Sequence, residues 1–427
     1  MKKLFLASLL FSFLLISCKK KDDISPYIQI TYPYVNSTHN VFDTLVVIGS
    51  VSDNEHLDYV KISLIDENNI TACSVVTLYP ESEDYTLNHE FVIDNIFMAS
   101  GNYNLLVTAS DGVNETRKYI ALSINEVAKE LTGVLFVETP TTNSVTVNKV
   151  KPDLSVLQIA SVDGDFSSSA ISTKNQAFYM AGSETGSFRA IEMLNNSELW
   201  NIAATPLPGA TFFSDVFEDD GSIYISYYDG IIKTFDKNGN LKQQIFENGY
   251  RCFKLFKTGN FLFSEQLQTG TTNRRMVVYN ASSGVIIQTI PLDMEVVAFC
   301  KRNDDNVFVY GNNGTQGYMK DYVISTNSFW EPHPLPAEKV LSAERIDDNT
   351  FLLGLENGVS KYTYNPNSLT DYLPAVSASS LKYDALNNVV VLSQASSLRF
   401  YNYMNTSLVS TVTAASEIKS INLLYNK

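Results

Sequence analysis

Histidine is scarce in this chain, with four in 427 residues: His39, His56, His89 and His333. A serine or cysteine nucleophile in the long C-terminal part that relied on a histidine base would have to use His333. That residue sits in Glu331-Pro332-His333-Pro334, a proline-rich connection that reads as a turn. Cysteine is equally sparse. Beyond Cys18 there are Cys73, Cys252 and Cys300, with no CxxC, which excludes a disulfide framework. Cys252 and Cys300 read as buried free thiols. The chain has no GxSxG elbow, no P-loop, no HExxH and no Cys/His zinc spacing, so it is not expected to be an enzyme. Positive charge is also short: 31 Lys+Arg against 46 Asp+Glu leave −15. A field of that sign repels phosphate backbones and excludes nucleic acid as a partner. The apolar run Leu4–Ile16, broken only by Ser8 and Ser12, spans roughly 20 Å as a helix, well short of a bilayer core of about 30 Å. Behind Lys2 and Lys3 it reads as a signal-peptide core.

The run ends in Leu15-Ile16-Ser17-Cys18, which resembles the bacterial lipobox. The resemblance implies cleavage before Cys18 and lipidation of that cysteine, with residues 1–17 as the signal and 18–26 as a lipidated tether. Lys19-Lys20-Lys21-Asp22-Asp23 resembles the surface-export signal of Bacteroidota lipoproteins. It implies a lipid-anchored protein of the outer membrane, exposed on the cell surface.

Tyr, Phe, Val, Ile, Ser, Thr and Asn dominate the rest of the chain, and that composition favours strands. Residues 27–127 hold seven short alternating segments separated by turn signals: Tyr27–Tyr32, Asp43–Ser52, Tyr59–Ile65, Ala72–Leu78, Tyr85–Ile93, Gly101–Ser110 and Arg117–Ile124. This is the sequence pattern of an immunoglobulin-like sandwich. Gly49 to Asn54 and Val107 to Gly112 resemble the Ig-like, cadherin-like modules that serve bacterial surface proteins as spacers. Asp53, Asn54, Glu55 and Asp111 either bind calcium between strand ends or act as polar turn caps. Otherwise no cofactor or metal is expected.

Residues 130–427 repeat. The first strands expected at Phe212, Arg251, Val296 and Lys339 recur with a period of about 40–45 residues, and each opens a unit of four strands. Six such units are complete. Gly133–Val137, Ser144–Val150 and Leu154–Ala160 at the front join Ile418–Leu424 at the back as a seventh. The fold class expected is all-β, an Ig-like sandwich followed by a seven-bladed β-propeller closed by a 3+1 terminal blade. The region resembles the WD/YVTN-like group in architecture, without Trp-Asp or Gly-His signatures.

Three acidic pairs, Asp219-Asp220, Asp304-Asp305 and Asp347-Asp348, share one place in the repeat, the turn after the first strand. They read as turn chemistry rather than one acid/base pair. Asp236-x-Asn238-x-Asn240 approaches a calcium loop but has Leu241 where the sharp turn needs Gly; it reads as a hairpin turn. Two longer loops on adjacent units, Gln266–Arg275 and Gly311–Tyr318, are the candidate rim. Tyr227, Tyr228, Gln268, Arg274, Arg275, Asn312, Asn313 and Tyr318 there combine amides, aromatic faces and a positive spot suited to a polar organic ligand. The function expected is capture of a nutrient or glycan. In layout the chain resembles Bacteroidota surface lipoproteins of propeller build that capture cobalamin beside an outer-membrane transporter, and that resemblance implies a cobalamin-like ligand and such a partner. A protein-interaction or adhesion scaffold is the alternative, followed by a propeller lyase or glycosidase.

Overall fold

The computed structural model describes residues 23–205 and 211–427; Cys18 and the signal run lie outside the described residues. Among these, every regular element is a β-strand, and no helix is long and apolar enough to cross a membrane. The chain divides into two compact units, the first ending at Ala128 and the second spanning Lys129–Lys427.

The first unit packs a three-stranded sheet against a five-stranded one. The smaller orders Tyr27–Tyr32, Thr44–Ser52 and Asp84–Val92. The larger orders Ser37–Asn40, Glu115–Asn125, Gly101–Ser110, Tyr59–Ile65 and Val76–Leu78. Side chains alternate across a strand, so Leu45, Val47 and Val51 on one strand and Leu87 and Phe91 on its neighbour point inward. They meet Val60, Ile62, Leu64, Leu105, Val107, Ile120 and Leu122 in one core, each buried side chain contributing about 1.5–3 kcal/mol of transfer free energy. Ser37–Asn40 pairs parallel to Leu122–Asn125. Its Ser-Thr-His-Asn sequence carries no apolar alternation, which is why pattern reading passes over it. The strand expected from Ala72 is confined to Val76–Leu78.

Among the described residues, the second unit holds seven four-stranded antiparallel sheets. Their first strands are Ser168–Ser172, Phe213–Asp219, Tyr250–Thr258, Glu295–Lys301, Val340–Arg345, Ser380–Asp384 and Ile418–Tyr425. Each contacts the next, and Ile418–Tyr425 contacts Ser168–Ser172, so they close a ring. The sheet that joins the ends orders Ile418–Tyr425, Leu131–Thr141, Ser144–Val150 and Val156–Asp163, with Ile421 opposite Phe136. Hydrophobic clusters fill every gap between consecutive sheets, the last and first included. Each sheet therefore buries both faces, and second strands such as Ala177–Ala181 are buried along their whole length. Strands covered on both sides read as continuous apolar runs for this reason.

Polar side chains lock neighbouring sheets. Asp215 accepts the Leu255 N–H at 3.0 Å, Glu265 the Val296 N–H at 3.0 Å and Glu344 the Tyr383 N–H at 3.3 Å. Asn312 both accepts from and donates to the Val340 backbone, at 2.9 and 2.8 Å. A buried donor left unpaired costs more than a typical bond contributes, so these ties fix the angular spacing of the ring.

Candidate functional site in the central channel

The ring of first strands encloses a channel. Two cavities of about 440 and 370 Å³ share Ser169, Val216, Phe217, Glu344 and Lys382, and together they draw lining residues from all seven first strands. One part of the wall is aromatic. Phe217, Phe256 and Phe299 come from three consecutive sheets, with ring centroids 5.6 Å apart for the first pair and 6.0 Å for the second, the latter nearly parallel. Elsewhere the wall is charged. Lys254 pairs with Asp215 at 3.4 Å and Lys382 with Glu344 at 3.2 Å. The Glu344 charge, opposed by burial, raises the Lys382 ammonium above its ordinary range. Burial raises the Glu218 carboxyl, which accepts the Gly221 N–H at 2.7 Å. Hydroxyls and an amide complete the lining: Ser169 bonds Ser420 at 2.7 Å and accepts from Asn422 at 2.9 Å. Aromatic faces beside hydrogen-bonded charges suit an organic ligand with both apolar and polar surface.

Cys300 also borders the channel, but burial pushes its thiol up to about 12. Cys252 is raised to about 12 and Cys73 to about 11, mainly by burial. All three are free, and none is poised as a thiolate.

The rim residues read from sequence fall on three neighbouring sheets. Tyr227 is buried, its ring packed by Phe212 at 5.6 Å and Phe213 at 5.2 Å with the Lys233 ammonium 4.9 Å away. Tyr228 is half-buried in the following turn. Gln268, Arg274 and Arg275 share one sheet. The expected positive spot is engaged internally: Arg274 pairs with Glu265 at 2.5 Å and Glu295 at 3.5 Å. Arg275 pairs with Glu247 at 2.8 Å, bonds Gln266 and lies 3.3 Å over the Tyr250 ring. Asn312, Asn313 and Tyr318 sit on the next sheet. Asn312 is held by its two bonds to the Val340 backbone, Asn313 is exposed, and Tyr318 packs against the cluster that contains Phe263 and Val309. Glu295 links the two groups, since it pairs with Arg274 and lies opposite Asn312 in the strand register.

The acidic turn pairs are dispersed, each with its own partners. Asp220 pairs with Lys174 at 2.6 Å, Asp304 with Lys301 at 2.6 Å and Asp348 with Arg345, while Asp305 accepts from Ser325 and Asp347 from the Asn349 N–H. Asp236 caps its hairpin through the Asn238 and Asn240 N–H groups, both at 2.9 Å. In the first unit Asp53 accepts from the Glu55 and His56 N–H groups, and Asp111 from Val113 and Asn114. Among the described residues, no three His, Cys, Asp or Glu side chains come together in a metal-binding group.

Sequence reasoning missed the channel wall because its members lie on strands about 40 residues apart. The available signal was charge inside first strands, at Asp215, Lys254, Glu344 and Lys382, where an all-structural strand would carry apolar residues.

Solved structures share this fold. A quinonprotein alcohol dehydrogenase-like protein from Bacteroides thetaiotaomicron superposes with a TM-score of 0.51 at 14% identity, covering 94% of this chain and 99% of its own. A protein from Lactobacillus plantarum matches with a TM-score of 0.52 at 14% identity, over 69% of this chain and 100% of its own. Hydrazine synthase from Kuenenia stuttgartiensis matches with a TM-score of 0.50 at 12% identity, over 68% and 98%. No protein-family model matches the sequence, and no curated protein matches it. With the ring of four-stranded sheets, these likenesses make the fold a β-propeller. They also correct one expectation: structures of this fold carry enzyme names, so the absence of local catalytic motifs does not support the reading that the chain is not an enzyme. Such motifs report particular chemistries, whereas on this fold function depends on the site and not on the scaffold.

Proposed function

We propose that the chain is a lipid-anchored outer-membrane protein displayed on the cell surface, in which an Ig-like module precedes a seven-bladed β-propeller that captures a nutrient or glycan in its channel. The observation that carries this reading is the channel wall, where Phe217 meets Phe256 edge to face and Phe256 stacks on Phe299, lining the same cavity as the Lys382–Glu344 and Lys254–Asp215 pairs. A cobalamin-like cofactor belongs to the same ligand class, amphiphilic and polyfunctional. Seven four-stranded sheets and a terminal sheet that joins both ends of the second unit support the blade count. The two-sheet core of the first unit supports the Ig-like module. The lipobox resemblance at Leu15–Cys18 supports the anchor, and an outer-membrane transporter is the partner such capture would serve. Gln268, Asn313 and Tyr228 remain the rim groups proposed to meet ligand at the mouth.

The test is calorimetric titration of the mature protein with neutral glycans, cobalamins and haem, repeated with Phe256→Ala and Lys382→Met. Binding that weakens in both variants is expected. Failure of all these ligands, or binding indifferent to both substitutions, would overturn the channel reading. Labelling with a radioactive fatty acid, lost in Cys18→Ser, tests the anchor independently. The second reading, an adhesion scaffold, draws on Val285, Ile286 and Ile287, exposed on or beside an outermost strand whose edge could pair with another chain.

A further inference from the structure

The five-stranded sheet of the first unit has a second face that does not pack on the core. Its register sets three rows across three strands: Glu115 beside Ser110 and Tyr59, Arg117 beside Thr108 and Lys61, and Tyr119 beside Leu106 and Ser63. In the first two rows, long side chains flank a short central one, and in the third Tyr119 borders Leu106, with Ser63 on its far side. The result is a trough of about 400 Å³, roughly 13 Å long at about 3.3 Å per residue. Its floor is hydroxylated. Thr108 and Ser63 are only 6% and 4% exposed although they face away from the core. One end is fixed, because the Tyr59 hydroxyl donates to one Glu115 oxygen at 2.8 Å and Arg117 Nε to the other at 2.7 Å. At the opposite end the Tyr119 ring is 48% exposed.

The chemistry narrows the ligand. An apolar molecule would take the floor hydroxyls and the Lys61 ammonium out of water with nothing in return. Lys61 and Arg117 face each other across the floor; Glu115 pairs with Arg117 and its charge also reaches Lys61, so two cations stand against one carboxylate in the trough lining, in a chain of net charge −15. A carboxylate lying between them gains two charge-assisted bonds. Ring hydroxyls match Thr108 and Ser63, which both donate and accept, and the exposed Tyr119 face offers an apolar platform beside them. We propose that this trough is a second ligand site, separate from the channel, and that it takes an acidic saccharide of the uronic-acid type.

The test uses the full mature protein titrated with oligogalacturonate and, in parallel, with a neutral malto-oligosaccharide of equal length. Oligogalacturonate should bind, more weakly as salt rises, and Arg117→Met and Lys61→Met should each lower its affinity about ten-fold or more. Thermal melting confirms that the variants remain folded, and Thr108→Val provides a third variant with no change of charge. Phe256→Ala, in the channel, should leave this binding untouched, so failure of the channel reading and failure of the trough are separate results. Absence of oligogalacturonate binding, or binding unmoved by both cation substitutions, would overturn the proposal.

Discussion

Glu344 and Lys382 meet at 3.2 Å across two neighbouring first strands, and the same carboxylate accepts the Tyr383 N–H at 3.3 Å. The two partners are therefore unequal. Lys382 has a side chain 39% exposed to the channel, so its pairing is screened by solvent and Lys382→Met should cost less than about 1 kcal/mol. Glu344→Ala also leaves a half-buried backbone donor unpaired, for which about 1–3 kcal/mol is expected. Urea unfolding of both variants checks the order; a larger loss for the lysine variant would refute it.

Asp165 governs acid stability locally. Burial opposes its charge, but the N–H groups of Gly186, Glu184, Thr185 and Ser183 outweigh it and hold the carboxyl below its usual range. A depressed carboxyl contributes stability that is fully present above the unfolded value, near 3.9, and is lost as pH falls through the folded value. Asp165→Asn should therefore be less stable than the parent at pH 7, and the gap should narrow as pH drops below about 4. Urea midpoints at pH 7 and pH 3 measure this, and a gap that widens in acid would contradict it.

The loop that Asp165 caps leaves no room for side chains. A Cβ on Gly182 would sit 2.2 Å from the Gly186 Cα, and one on Gly186 would sit 2.3 Å from the Asp165 carbonyl oxygen. Both collisions are with backbone, so Gly182→Ala and Gly186→Ala should each cost about 1–3 kcal/mol through displaced chain. Gly101→Ala, where a Cβ meets nothing within 4 Å, is the control and should change the melting temperature far less.

Thiol chemistry should report unfolding only. Cys252 and Cys300 are buried, with pKa values raised to about 12, so a thiol reagent at pH 8 should label neither until denaturant is added. Rapid labelling of either in the native protein would contradict their burial.

Much of the second unit was legible because its strands are local. Ser168–Ser172 and Ala177–Ala181 are found where alternation and turn signals put them. The channel wall was not legible, since no local pattern says that Phe217, Phe256 and Phe299 will face one another. The rim arginines mislead for a different reason. Arg275 lies opposite Gln266, and Arg274 opposite Leu267, in their own hairpin, which brings Glu265 within reach of Arg274. Two cations that look free along the chain are neutralised, Arg274 by Glu265 on the preceding strand and Arg275 by Glu247 in the turn before Tyr250–Thr258. The expectation of no catalysis rested on absent motifs, and motifs do not describe a site assembled around a ring.

Deleting Ile418–Tyr425 should do more than shorten the chain. Ile421 and Leu424 are buried, and their loss bares the Leu131–Thr141 edge to pairing with other molecules. A protein truncated at Ser416 should elute as aggregate on size exclusion, where the full chain elutes as a discrete species.

That terminal strand also dictates the order in which the ring can form. Thr132 bonds Leu424 across 292 positions, and closing a loop of that length costs about 3 kcal/mol more in chain entropy than closing a ten-residue hairpin. Local hairpins therefore form first, and the join between the ends comes last and slowly. Until then the molecule is an open arc with two unsatisfied edges, and that arc is the species most exposed to proteases and to self-association.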